Sequence, residues 1–207
     1  MHLISVDQLR IIFAGRELCD DISVDTCDLG NQSVLHAVTV ITTTDTTPAP
    51  AAPLSQTMLD LQLTQEERRE SVTRVNETRE TRAMFYCWCD QADTLSHAKL
   101  RVKCQQCHNG AIILHTDPCS WSDVLTPHRI QGYCELCSMV TWAQFYFRCG
   151  SHKTGSDGHE TVALDMIRSN IRHVPCLACT DTCETVVVFS CDHVTCTDCW
   201  SDYARLD

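Results

Sequence analysis

Cys176-Leu177-Ala178-Cys179, eleven residues, Cys191-Asp192-His193, two more residues, and Cys196-Thr197-Asp198-Cys199: the reading of the whole chain turns on this stretch. Cysteine and histidine pairs in this order form an interleaved zinc brace, in which the first and third pairs share one tetrahedral zinc and the second and fourth share another. On that reading Cys176, Cys179, Cys196 and Cys199 complete one site, while Cys191 and His193 begin a second whose last pair is not supplied before Asp207. A site closed by four protein ligands holds structure and offers no open position for a substrate.

The 207 residues carry 16 cysteines, a density that demands metal, disulfides or thiol chemistry. The opening Met1-His2-Leu3-Ile4-Ser5-Val6-Asp7 has no basic stretch leading into an apolar run, and no segment approaches the ~20 apolar residues of a membrane span. A reducing interior is the expected compartment, and there Cys-x-x-Cys pairs read as metal ligands before they read as disulfides. Hydrophobic residues make up 43% and aromatics 6%, so several small metal-built modules are expected rather than one large core. The formal net charge of -11 argues against nucleic acid as a partner, since backbone phosphates demand an excess of Lys and Arg.

Upstream, Cys104-x-x-Cys107 and Cys134-x-x-Cys137 stand 26 residues apart and suit one Cys₄ zinc with the intervening segment as an excursion. Cys149-x-x-His152 needs partners, and the nearest are Cys87 and Cys89 in Phe85-Tyr86-Cys87-Trp88-Cys89. Cys-x-Cys is tighter than an ordinary zinc knuckle, and His97 is an alternative ligand if both cysteines do not bind. A catalytic Cys149–His152 dyad is the competing idea, although no sequence feature marks an activated thiolate. Three zinc sites are thus completable and a fourth is half-formed. Cys19, Cys27, Cys119 and Cys183 are left over and read as small buried hydrophobes; His97, His108 and His115 read as ordinary surface or core residues.

The alternating run Leu9-Arg10-Ile11-Ile12-Phe13, the turn at Ala14-Gly15 and the β-prone run from Ser33 to Val40 make half of a small β-rich domain. From Ile41 to Ala83 the chain is Thr-rich, then Pro/Ala-rich, then charge-balanced, the composition of a linker with at most one short helix. Beyond Phe85, Cys or His pairs recur between short β-prone runs. Val162, Leu164, Met166, Ile167 and Ile171 fall largely on one helical face behind Asp157-Gly158 and Glu160, which predicts a core-facing helix.

The stretch Asp7 to Leu18, with Gln32-Ser33-Val34-Leu35-His36-Ala37-Val38 after it, resembles the C-terminal half of ubiquitin. The remainder of the chain resembles, in order, the RING-in-between-RING family of ubiquitin ligases. The resemblance is carried by Phe85-Tyr86, Lys99-Leu100-Arg101-Val102-Lys103-Cys104, Trp121-Ser122-Asp123-Val124-Leu125, Phe145 to Gly150 and Cys176 to Asp181. It implies small zinc-stabilised α+β modules: a truncated β-grasp ubiquitin-like segment over 1–40, a disordered linker over 41–83, a unique zinc domain over 84–155, a connecting helix over 156–174 and an incomplete first RING over 175–207. In that family the first RING receives a ubiquitin-conjugating enzyme, and ubiquitin passes to a cysteine of the last RING. This chain is expected to end before that cysteine, so no residue here takes a catalytic role and the chain alone is expected to be inactive. A non-catalytic zinc scaffold is the alternative.

Carried over position by position, Ser33 matches a serine phosphorylated by a mitochondrial kinase, and Lys99, Arg101 and Arg148 match the pocket that receives its phosphate. Leu177 and Thr180 match positions that touch the conjugating enzyme. The implied partners are that enzyme, ubiquitin and phospho-ubiquitin, the kinase and protein substrates. The implied setting is the cytosol with recruitment to mitochondria, in mitochondrial quality control (mitophagy).

Overall fold

A computed structural model describes residues 8–23, 29, 33–39, 63, 85–89, 91–150 and 160–204. The expected linker, apart from Leu63, lies outside these residues, as do His152 and Cys27. Strands β1 (Leu9–Phe13), β2 (Arg16–Leu18) and β3 (His36–Thr39) form an antiparallel sheet in the order β2-β1-β3. Phe13 faces Arg16 across a two-residue turn whose central residues, Ala14 (φ 49°) and Gly15 (φ 85°), are both left-handed. That pairing gives the turn the twist a right-twisted hairpin needs.

The largest sheet is built from β4 (Phe85–Cys89), β5 (Thr94–Cys104), β6 (Ile112–Leu114), β7 (Gln131–Cys134) and β8 (Met139–Cys149), in the order β4-β5-β8-β7-β6, with β9 (Glu160–Thr161) on β8. Alternation along β5 buries Ser96, Ala98, Leu100, Val102 and Cys104 and sends Leu95, His97, Lys99, Arg101 and Lys103 to the other face. The buried row serves two cores in succession. Ala98 and Leu100 pack with Phe85, Cys87, Val124 and Phe147; Val102 and Cys104 pack with Ile112, Ile130, Cys134 and Ala143.

A short helix, α1 (Trp121–Leu125), lids the first core. Ser120 caps it by accepting from the Asp123 N–H at 3.2 Å, and the Asp123 carboxylate reaches back to the Cys119 N–H at 3.1 Å, a reciprocal cap that starts the helix where it must cross the sheet. Trp121 meets Phe85 edge-on with ring centroids 5.3 Å apart, and Phe85 meets Phe147 edge-on at 5.2 Å.

The third sheet, β10-β11-β12 (Ile167–Ser169, Thr185–Val188, Val194–Cys196), is followed by α2 (Thr197–Ala204). Its apolar side packs through Ile167 and Val187 on Tyr86, whose hydroxyl lies 3.0 Å from the Ser169 hydroxyl. Of the helix expected over 156–174, the described part is not helical: residues 160–174 run as β9, a bend and β10. Ala163 bridges Cys87 and the Leu164 N–H donates to the Tyr86 carbonyl at 2.8 Å, so the segment closes the outer edge of β4 instead of coiling. Thr161, Val162, Ile167 and Ile171 are β-branched and lose side-chain freedom in a helix, and the available edge decides against one. Val162, core-facing by periodicity, is 76% exposed.

Candidate metal centres and cation face

Two groups of four cysteines converge: Cys104, Cys107, Cys134 and Cys137, and Cys176, Cys179, Cys196 and Cys199, each set with its sulfurs within 4.8 Å of one another. In the first, Cys104 closes β5 and Cys134 closes β7, and each strand runs into a tight turn that returns the second cysteine of its pair. His108, Ser138 and Thr180 each stand one residue past a Cys-x-x-Cys and each has left-handed φ (57°, 51° and 65°). The purpose of that geometry shows in the hydrogen bonds. The His108 N–H donates to the Cys104 carbonyl at 2.9 Å and the Thr180 N–H to the Cys176 carbonyl at 2.8 Å, closing the loop so that its inner N–H groups aim at sulfur. Gln106 N–H lies 3.3 Å from Cys104 Sγ, and Ala178 N–H lies 3.4 Å from Cys176 Sγ.

A tetrahedral zinc with Zn–S bonds of ~2.3 Å holds its sulfurs about 3.8 Å apart. The observed separations are 3.9 Å for Cys104–Cys137, 3.6 Å for Cys107–Cys134 and 3.9 Å for Cys179–Cys196. The fit is close, and thiols this crowded shift one another's ionisation. N–H groups of Cys179 and Cys196 bring the Cys176 thiol down to about 6. At Cys104 burial opposes ionisation, but the N–H groups of Cys107 and Gln106 outweigh it and bring the thiol down to about 7. Sharing a proton with Cys107 pushes Cys137 up to about 12. One thiolate with its neighbours still protonated is a set that a divalent cation can deprotonate fully.

The pairing of Cys176/Cys179 with Cys196/Cys199 is the interleaving that their spacing predicts. Cys196 ends β12 and Cys199 lies in the first turn of α2, so the strand-to-helix corner supplies one pair while the loop before β11 supplies the other. Cys191 and His193 lie between them, His193 Nδ1 3.2 Å from Cys191 Sγ, and join neither four-cysteine group.

Of the expected third site, three members are described. Cys87 and Cys89 stand two apart on β4, hence on one face, and Cys149 opposite Ala98 on β8 projects to that same face. The tight Cys-x-Cys spacing is thus a strand device rather than a knuckle. Burial pushes the Cys87 thiol up to about 11, with the Cys149 thiol beside it. Of the leftover cysteines, Cys19 and Cys119 are exposed, contrary to the expectation that they are buried hydrophobes; both sit in connections outside the strands and helices.

The cations fall on the opposite face of the sheet. Lys99 and Arg148 are direct cross-strand neighbours, and Arg101 is two residues along from Lys99. Arg101 is 8% exposed, its guanidinium donating to the Leu100 carbonyl at 2.7 Å and lying 4.9 Å from the Phe13 ring centroid. That contact belongs to a docking of the β1–β2 turn on the zinc domain. Gly15 accepts from the Leu114 N–H at 2.8 Å, Arg16 pairs with Asp117 at 2.5 Å, and Arg10 reaches Glu135 at 3.3 Å. A Cβ at Gly15 would lie 2.8 Å from Leu114 Cγ and Val102 Cγ1, so glycine is required there for approach as well as for φ. Lys103, at the end of the row, pairs with Glu160 and lies 4.9 Å from the Tyr146 ring centroid. His97, an alternative zinc ligand by sequence, lies in this row instead, on the face opposite Cys87, Cys89 and Cys149, with its ring against Tyr86.

Leu177 and Thr180 sit on the first loop of the second cluster. Leu177 is 67% exposed, while its N–H is held by the Val194 carbonyl at 3.0 Å, so an apolar side chain is presented on a fixed backbone.

Comparison with known proteins agrees with this geometry. Two families described as RING/Ubox like zinc-binding domains match residues 67–154 and 166–206. The E3 ubiquitin-protein ligase parkin of Drosophila melanogaster is 41% identical over 225 residues, covering 96% of this chain and 46% of that protein. The mouse (Mus musculus) E3 ubiquitin-protein ligase parkin is 33% identical over 233 residues, covering 97% of this chain and 50% of that one. The chain spans about half the length of the curated relatives it matches. Among solved structures, a pParkin–pUb–UbcH7 complex aligns with a TM-score of 0.66 at 34% identity, over 96% of this chain and 53% of that one. Parkin of Pediculus humanus bound to phospho-ubiquitin aligns at 0.55 and 41% identity, over 60% of this chain and 43% of that one. With two zinc-fitting clusters inside two RING-like domains and this likeness along almost its whole length, the chain belongs to the parkin family.

Proposed function

We propose that the chain works in ubiquitin transfer, as the part of a RING-in-between-RING ubiquitin ligase that receives the ubiquitin-conjugating enzyme and binds a phosphorylated ubiquitin-like surface. The observation that carries this reading is the exposed Leu177 on a loop clamped by the Cys176/Cys179/Cys196/Cys199 cluster. A solvent-exposed leucine on a rigid loop is an anchor for a partner's apolar groove, and Thr180 closes the same loop, its hydroxyl donating to the Cys179 carbonyl at 2.6 Å. Zinc would be held by the two four-cysteine groups, and by Cys87, Cys89 and Cys149 with His152. Its chemistry there is structural, fixing the loops whose side chains do the binding. Cys191 and His193 would contribute to a further site.

Ser33 is the candidate phosphoacceptor, and Lys99 and Arg148, paired across β5 and β8 with Arg101 beneath the Phe13 ring, are the groups that would hold a phosphoryl dianion. The resemblance supports a mitochondrial kinase as the source of that phosphate and mitochondrial quality control as the setting, with recruitment from the cytosol.

The test is binding of a ubiquitin-conjugating enzyme to the zinc-loaded chain. Leu177→Ala should weaken it about tenfold, the scale of one buried leucine lost from an interface, with zinc content unchanged because Leu177 is exposed and is not one of the four cysteines of its cluster. Equal affinity of the variant and its parent overturns the assignment of this loop.

A further inference from the structure

The chain has four asparagines, and of these Asn109 alone is followed by glycine. It sits in the loop that leads from Cys107 to β6, and both of its carbonyls are held. The main-chain carbonyl accepts from the Cys104 N–H at 2.8 Å, and Oδ1 accepts from the Ala111 N–H at 3.0 Å, a turn closed by the asparagine side chain. Ala111 is itself fixed, buried with its carbonyl accepting from the Glu135 N–H at 2.9 Å. The groups that a cyclisation needs are the ones left loose. Among the described residues, neither the Asn109 Nδ2 nor the Gly110 N–H has a hydrogen-bond partner, and both residues are half-exposed to water. Asn170 is the contrast: it is buried, its Nδ2 donates to the Val174 and Cys183 carbonyls, both at 2.8 Å, and the β-branched Ile171 follows it.

We propose that Asn109 is a self-modification site, converting by deamidation to aspartate and isoaspartate. The Gly110 nitrogen attacks Asn109 Cγ and forms the N–Cγ bond of a five-membered imide; the Cγ–Nδ2 bond breaks, and ammonia leaves with the Gly110 proton. Water then adds to either imide carbonyl and opens the ring. One water enters and one ammonia departs, with no oxidant or cofactor. The Ala111 N–H already points at the oxygen on which negative charge develops during attack, the arrangement that stabilises such an intermediate. The product bears on the docking of the β1–β3 sheet. A Cβ placed at Gly110 would lie 2.5 Å from His36 Nε2, so the imidazole at the start of β3 rests on the glycine. Isoaspartate adds a backbone methylene immediately before that glycine, and a carboxylate besides, and so unseats His36.

Incubation of the zinc-loaded chain at neutral pH, followed by peptide mass analysis and enzymatic isoaspartyl methylation mapped to residue 109, tests the site. Asn109 should convert at a rate within about tenfold of a free peptide spanning residues 105–114, because the turn keeps the reacting pair together. Asn170 should remain an amide. A rate further below the peptide's means that the fold protects Asn109, and overturns the proposal; so does conversion of Asn170 as fast as Asn109. Hydrogen exchange at the Leu114 N–H, which donates to the Gly15 carbonyl, reads the docking. It should rise about tenfold in the converted chain as the contact opens locally, and stay at the parent value in an equally aged Asn109→Gln chain, where closure would require a six-membered ring. Unchanged exchange on conversion, or an equal rise in Asn109→Gln, overturns the link to docking.

Discussion

Replacing Cys104 with alanine should lower the zinc content by one ion per chain and unfold the β6–β7–β8 half of the large sheet. The reason is a matter of scale. Structural zinc supplies an apparent ~10 kcal/mol or more to a small module, comparable to the whole stability of an ordinary domain. Here the ligands are also core: Cys104 and Cys134 are fully buried among Val102, Ile112, Ile130 and Ala143, so the missing sulfur leaves a cavity as well as an unfilled coordination position. Metal analysis with amide exchange checks the effect, which should spare the Cys176/Cys179/Cys196/Cys199 cluster because no ligand is shared. Cys183→Ala, outside both clusters, is the control and should keep the full zinc complement. Full zinc occupancy in Cys104→Ala would refute the four-cysteine assignment. Acid should act in the same direction in the parent chain, since protons compete with zinc for thiolates, and stability should fall with falling pH.

Phe85→Ala should cost about 3–5 kcal/mol, the range for deleting a fully buried aromatic. Phe85 has no exposed surface and contacts both Trp121 and Phe147 edge-on, so its loss opens a space that neither partner can fill without abandoning the other. It also loosens α1 from the sheet, because Trp121 and Val124 are the side chains by which the helix is held. Denaturant unfolding with zinc in excess, compared with Phe85→Leu, measures the cost. A loss below about 1 kcal/mol would mean that the space collapses freely and that the edge-on ring packing is not what holds this core.

Much of the metal chemistry is legible in the order of cysteines, because zinc ligands in loops carry their spacing with them. Cys176/Cys179 with Cys196/Cys199, and Cys104/Cys107 with Cys134/Cys137, meet as their intervals predict. The hairpin around Ala14-Gly15 is legible for a similar reason: two left-handed residues in a two-residue turn are a local requirement. The segment from Glu160 to Val174 is where periodicity misleads. Its apolar residues do recur at helical intervals, but the unpaired edge of β4 offers backbone partners to Ala163 and Leu164, and no window of sequence contains that edge. Cys19 and Cys119 are exposed against expectation for a related reason, since burial depends on what lies above a loop.

Ligand order and turn chemistry act over a few residues, so the pairing of the zinc ligands and the β1–β2 hairpin are written in the chain itself. Assembly alone sets Lys99 against Arg148 and puts Arg101 under Phe13. Strand register over long loops and the seating of one turn on another sheet follow from packing, which is a property of the assembled surfaces.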